Sequence, residues 1–369
     1  MKKFLYYFFL FNIPIILLLG SCYYVLYISG EIYSKDSIIK PLDEKQLLGL
    51  AYTDISAQYK FNMCDIVFHP DIIALGSSRI LQVKKDIISS KFSFYNAGMA
   101  VVNIYHYKLF LDNIKVYPKF FILNIDQWYF HPNYENINEA SYILSYNYSF
   151  LFNQCTKLVE DILYGKIDFQ KILDNDNNDI GISAIINKNG FTNDGSFYYG
   201  KFIKEPSKST DYNFKETNKI IDQGNGRFFQ YCDEADTIGK EAINSFLSEC
   251  EKKNISVIAF LPPFAPVINE RMEKTKKYKY MSQIYDILLP VFEKHNRCYL
   301  YDYSDMRSFN VHNYDFVDGY HGSELIYNLI IKDIIKKNEE VAMYFKDSST
   351  IDSINIQYKK RGIRYHDFE

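Results

Sequence analysis

The sequence predicts an α/β protein: a three-layer sandwich with a mostly parallel central sheet, preceded by one transmembrane helix and interrupted by a large insertion. Three observations predict it. Short, continuous apolar runs recur along the chain, amphipathic helical patterns separate them, and the amino terminus carries an uncharged run far longer than any strand. Strands covered on both faces read as unbroken apolar stretches. Strand alternating with helix favours parallel pairing through crossovers.

Taken in order, the first element is FLYYFFLFNIPIILLLGSCYYVLY, residues 4–27, interrupted only by Asn12, Pro14 and Ser21. As a helix it extends roughly 36 Å at about 1.5 Å per residue, enough to cross a hydrocarbon core of about 30 Å. Residues 1–29 therefore read as a single-pass anchor. Lys2 and Lys3 then stay in the cytoplasm, and everything after residue 30 lies outside, periplasmic or on the cell surface. A cleaved signal peptide is the rival reading, but its apolar region is shorter and ends in a small-residue site this run lacks. Leu19-Gly20-Ser21-Cys22 loosely resembles a lipoprotein box, yet the residues after Cys22 are too apolar for a lipoprotein start.

Residues 30–64 read as a stalk with helical tendency, and the main domain as 65–345. Its expected strands are DIIALG (71–76), FSFYNAG (92–98), KFFILNID (119–126), ISVIAFLP (255–262) and RCYLYDY (297–303). The helical patterns between them are ILQVKKDII, NIYHYKLFLDNI, GKEAINSFLSECEKK and YMSQIYDILLPVFEKH. The stretch from about 131 to 236 breaks this rhythm. Rich in Asn, Asp, Tyr and Gly, it reads as an insertion, either a lid or substrate platform or an inert elaboration. The tail 346–369 is polar and reads as peripheral.

Bulk properties narrow the function. The apolar fraction of 47% is that of a folded chain. A net charge of -3 gives no basic excess to neutralise a phosphate backbone, so nucleic acid is not an expected partner. The six cysteines show neither CxxC nor His interleaving at zinc spacing, so no metal site is expected. They read as scattered buried thiols, with one disulfide possible among those outside the anchor.

Chemistry concentrates in ALGSSRI, residues 74–80, where Ser77 and Ser78 end an apolar strand. In open α/β sheets, ligands bind beyond the carboxyl ends of strands. A serine there is either a turn residue or, given a base, a nucleophile whose oxyanion the amides of a following helix stabilise. The base candidate is His321 in Asp318-Gly319-Tyr320-His321, just before an amphipathic helix with Ser323 at its expected cap. Asp and His three apart fit on one turn, the carboxylate orienting the imidazole. Two further strand ends, Asn96-Ala97-Gly98 and Asn124-Ile125-Asp126, offer oxyanion donors: an amide near Gly98 and a side chain near residue 126. Arg79 reads either as a ligand for a substrate carboxylate or phosphate, or as a cap or surface ion pair. LPPFAPVINERM (261–272) reads as a strand end followed by a rim loop.

These blocks together resemble the SGNH (GDSL-like) hydrolase superfamily, whose sheet is flavodoxin-like. The similarity is closest to its membrane-anchored extracytoplasmic branch of D-alanyl transfer and alginate O-acetylation proteins. It covers roughly 65–130 and 250–340. In that family the serine block reads G-[DSTN]-S, a second block supplies a glycine amide, and the last reads D-x-x-H. The resemblance implies Ser78 as nucleophile, with its own amide in the oxyanion site, Gly98 as the second-block glycine, Asp318 as orienting acid and His321 as base. The third block usually presents asparagine in G-x-N-D. Here NIDQ puts Asp126 at that position, and an ionised carboxylate donates no hydrogen bond. Either Asp126 is protonated, Asn124 or another donor replaces it, or it orients substrate.

The resemblance implies an acyltransferase on a cell-envelope polysaccharide or related polymer, needing no cofactor and working beside a multispanning membrane acyltransferase. A carbohydrate esterase of the same fold and an inactive polymer-binding scaffold are the alternatives.

Overall fold

The computed structural model describes residues 2–134, 151–226 and 228–367. The stretch 135–150 and Arg227, both within the expected insertion, lie outside the described residues. The chain divides into two compact units. Its seven described strands are β1 (Ile72–Gly76), β2 (Phe94–Gly98), β3 (Phe120–Asn124), β4 (Asn189–Phe191), β5 (Phe197–Tyr199), β6 (Ser256–Leu261) and β7 (Cys298–Asp302).

The smaller unit falls within Met1–Ile55, Tyr146–Asn193 and Phe197–Gly200. Its first helix, Lys2–Ile28, is continuous through Pro14. The stretch Leu10–Ile28 has a mean hydropathy of 1.8 and is long and apolar enough to cross a membrane. Near its carboxyl end, Cys22 and Leu26 pack with Cys155, Leu158, Ile172, Ile182 and Ile185. Glu31 follows, buried; its carboxylate accepts the N–H groups of Ala51, Tyr52 and Ile182. Leu48 bridges to both Ile180 and Phe191, and β4 pairs antiparallel with β5. Gly181 adopts φ 93°, and a Cβ there would lie 2.2 Å from the Gly49 carbonyl oxygen, so only glycine permits this closure. The expected stalk is therefore no separate element. Residues 30–55 build a core with part of the insertion, and the helix Ser56–Asn62 belongs to the larger unit.

The larger unit holds a five-stranded parallel sheet in the order β2-β1-β3-β6-β7. All five expected apolar runs are strands of this sheet. β1, β2, β3 and β6 are buried along their whole length, which is why their sequences do not alternate, whereas β7 at the edge is partly open. The strand order reverses direction beside β1, the kind of switch point where a crevice opens at the carboxyl edge.

Two expectations fail here. ILQVKKDII forms no α-helix; two single 3₁₀ turns, Ser78–Ile80 and Lys85–Ile87, take its place. Its apolar residues Ile80, Leu81, Val83, Ile87 and Ile88 are all buried regardless, held by tertiary packing rather than by a helical face. The tail is also not peripheral. Helix Ser348–Lys360 buries Ile351 and Tyr358, and Tyr365 and His366 are buried beyond it. His366 packs 4.1 Å from the Phe214 ring and accepts the Asn213 N–H; burial pulls its imidazole down to about 4, leaving it neutral. All six cysteines are free thiols.

Candidate active site

The two adjacent serines divide the work. Ser77 is the turn residue: its hydroxyl oxygen accepts the Arg79 N–H at 3.1 Å. Ser78 Oγ instead lies 2.7 Å from His321 Nε2. On the far side of the ring, His321 Nδ1 lies 2.7 Å from Asp318 Oδ2. A carboxylate only accepts, so Nδ1 carries the proton and Nε2 is left to accept from the Ser78 hydroxyl.

The Asp-x-x-His spacing works through the backbone. Asp318 Oδ1 accepts the N–H groups of Tyr320 at 3.0 Å and His321 at 2.8 Å, folding the segment into a turn. The Val317 N–H closes the same turn by donating to the His321 carbonyl at 2.7 Å. Burial pushes the Asp318 carboxyl up, but the His321 charge, its hydrogen bond and the two amides together outweigh burial and hold it below the usual carboxylate range. Ser323 takes the N-cap position of helix Glu324–Lys337 without a side-chain capping bond.

The remaining expected site residues form a different structure beneath this line. Arg79 is 1% exposed and uses its whole guanidinium. Nε donates to the Tyr320 carbonyl at 2.9 Å, and Nη1 to Gln127 Oε1 at 2.8 Å and Asp126 Oδ1 at 3.4 Å. Nη2 donates to the carbonyls of Pro262 at 2.9 Å and Pro263 at 2.6 Å. Its plane sits 4.5 Å from the Phe264 ring and 4.9 Å from Trp128. The expectation that Arg79 binds substrate, caps a helix or forms a surface pair is corrected: no donor is left for a ligand.

Asp126 and Asn124 are both fully buried. Asn124 Nδ2 donates to Ser77 Oγ at 3.1 Å and to Asp126 Oδ1 at 2.9 Å, which occupies both its hydrogens. Burial pushes the Asp126 carboxyl up, against the pull of Arg79. Asn124 therefore has no hydrogen left to donate to an oxyanion, while Asp126 Oδ1 is held by Asn124 and Arg79. Gly98 is engaged likewise: its N–H donates to Asn96 Oδ1 at 2.8 Å. Among the described residues no hydrogen bond engages the Ser78 N–H. Gly76 is required by this packing, since a Cβ there would lie 1.7 Å from Asn124 Oδ1.

Sequence reasoning missed Asp211. Its Oδ2 accepts the Gly319 N–H at 3.0 Å and the Thr217 hydroxyl at 2.7 Å, while Oδ1 accepts the Thr217 N–H at 2.8 Å. Part of the insertion thus holds the segment that carries Asp318 and His321. A Cβ on Gly319 would lie 2.4 Å from Thr217 Cγ2, so the fit is close. No local pattern marks this contact, because 108 residues separate its partners.

An aromatic wall borders the imidazole: the Tyr320 ring lies 4.5 Å from His321 and is flanked by Trp128, Phe228 and Phe229. A cavity of about 340 Å³, lined in part by Gln127, Phe264, Met272, Tyr278 and Met281, does not include Ser78 or His321. Comparison with known proteins finds no matching family model, no similar curated protein and no similar solved structure.

Proposed function

We propose that this chain is a membrane-anchored, SGNH-like serine acyltransferase acting on a cell-envelope polysaccharide or related polymer. The observation that carries the reading is the continuous line Ser78–His321–Asp318, with both contacts at 2.7 Å. Such spacing is that of a nucleophile with its base already in hydrogen-bond reach. The parallel sheet with a switch point at β1 supports the finer fold reading, a three-layer sandwich of the SGNH type.

In this mechanism Ser78 Oγ attacks the carbonyl carbon of an acyl donor while His321 Nε2 takes the hydroxyl proton. The tetrahedral oxyanion is held by the Ser78 N–H. As it collapses, the bond to the leaving group breaks, His321 returns the proton to that group, and an acyl-serine remains. A sugar hydroxyl then attacks the acyl-serine, its proton passing to His321; the acyl–Oγ bond breaks, the acyl group stays on the sugar oxygen, and His321 returns the proton to Ser78 Oγ. Asp318 stays ionised throughout and steadies the imidazolium. With water as acceptor the same steps make an esterase. The helix Lys2–Ile28 holds the site at the membrane, with the larger unit on the extracytoplasmic side, where a multispanning acyltransferase supplies the donor.

The test is a fluorophosphonate, which labels activated serines. Wild-type protein is expected to label and Ser78→Ala to lose labelling entirely while keeping its unfolding midpoint. Absence of labelling in the wild type under all conditions sinks the enzyme and favours a scaffold. Adding polysaccharide and measuring acyl-polymer against free acid separates transfer from hydrolysis.

A further inference from the structure

The smaller unit carries apolar surface beyond its first helix, and the arrangement of two helices says what covers it. Helix Leu151–Leu163 packs on the carboxyl-terminal part of Lys2–Ile28. Cys155 sits beside Cys22. Two turns further along, Asp161 accepts the Tyr52 hydroxyl at 3.1 Å, and the Tyr52 N–H reaches Glu31, just past the end of the first helix. Contacts thus advance from 22 towards 31 as they advance from 155 to 161, so the two helices run in the same direction. Each rises about 1.5 Å per residue, which sets Leu151 and Phe152 level with residues 18 and 19 of the first helix.

Leu18 and Leu19 lie inside the stretch able to cross a membrane and are themselves exposed. Leu151 and Phe152 face outward at the same level, 44% and 71% exposed. At the next level, that of residues 23–27 of the first helix, the composition changes, although Leu163 is again exposed at the far end of the second. Tyr23, Tyr24 and Tyr27 are exposed on the first helix, the residue type that gathers at a membrane interface, and Lys157 is exposed on the second at that height. Phe152 lies about 8 Å below Lys157 along the helix, within the depth of roughly 5–10 Å to which interfacial helices sink.

We propose that the amino-terminal turn of Leu151–Leu163 dips into the same lipid leaflet that surrounds the carboxyl end of Lys2–Ile28, making a second, shallow membrane contact. This rests on the first helix being membrane-embedded. The occupant of the Leu151–Phe152 face is phospholipid at the headgroup–acyl boundary, with Lys157 at headgroup level. The insertion then fixes the rotation of the smaller unit about its anchor, which a single helix leaves free.

The test uses the full chain in phosphatidylcholine vesicles containing lipids brominated on their acyl chains, which quench nearby tryptophan. Three variants are compared in the background of the buried Trp128: Leu17→Trp in the anchor, Phe152→Trp in the proposed contact and Ile356→Trp on the larger unit. Brominated lipid is expected to reduce the added emission at positions 17 and 152 by at least about two-fold and to leave 356 unchanged. Leu151→Trp serves as the second reporter should Phe152→Trp misfold. Quenching at 17 but not at 152 overturns the proposal and leaves the anchor standing, whether iodide in the water reaches 152 or protein covers it. Loss of quenching at both positions overturns the anchor and the proposal together.

Discussion

Two groups of side chains share the carboxyl edge of the sheet and behave oppositely. Ser78, His321 and Asp318 lie at the surface of that edge, the last two with side chains 14% and 20% exposed, joined in a single file of short contacts. Arg79, Asp126 and Asn124 lie directly beneath, closed to solvent and cross-linked to five other groups. Position 78 faces the imidazole and position 79 is buried with every donor bonded, although they are adjacent in sequence. The difference teaches that adjacency to Ser78 does not make a residue a ligand-binding group. What decides is whether its donors are already spent.

The comparison is broken most severely by emptying the lower group. Arg79→Met leaves the buried Asp126 carboxylate without its cation and the Pro263 carbonyl without its donor, a loss of about 3–5 kcal/mol in urea unfolding. Arg79→Lys is expected to recover little, because one ammonium cannot reproduce a fork with five directed donors. A stable Arg79→Met protein would show that the lower group is not structural. Next in size is Asp211→Ala, which frees the Asp318–His321 segment from one side. Stability falls by about 1–3 kcal/mol as the buried Gly319 N–H and Thr217 lose their acceptor. Fluorophosphonate labelling slows roughly ten-fold through misplacement of the base. Unchanged labelling would remove Asp211 from the positioning machinery.

The smallest effect is one of pH. Asp318 is held below its ordinary value, so its contribution to stability is complete above about pH 4 and is lost as pH falls through its folded value. The stability gap between wild type and Asp318→Asn is therefore expected to shrink, by about 1 kcal/mol or less, between pH 5 and pH 2.5. A gap that widens on acidification contradicts the assigned direction.

The legible parts of this molecule were those whose physics is local. Buried parallel strands announce themselves as apolar runs, and all five did. Ser78, Asp318 and His321 were legible because each ends a strand or precedes a helix, and the turn at 318–321 is made by its own carboxylate. The illegible parts depend on distant partners. An arginine reads as a surface group until Tyr320, Gln127, Pro262 and Pro263 are seen to enclose it. Asn124 and Asp126 read as donors to substrate until Ser77 and Arg79 are seen to hold them. The stretch after the anchor reads as a helical stalk and the tail as polar and peripheral, but a few apolar positions, Leu48 and Ile351 among them, fasten each to a core.

The hydroxyl of Ser78 and its base are 243 residues apart in the chain. During synthesis, the serine emerges long before the imidazole it meets in the fold. The segment bearing that imidazole is held by Asp211, through the Gly319 N–H, and by Arg79, through the carbonyl at 320. A polypeptide that ends short of residue 321 therefore lacks the Ser78–His321 contact altogether, and the pairing is a property of the completed tertiary structure alone.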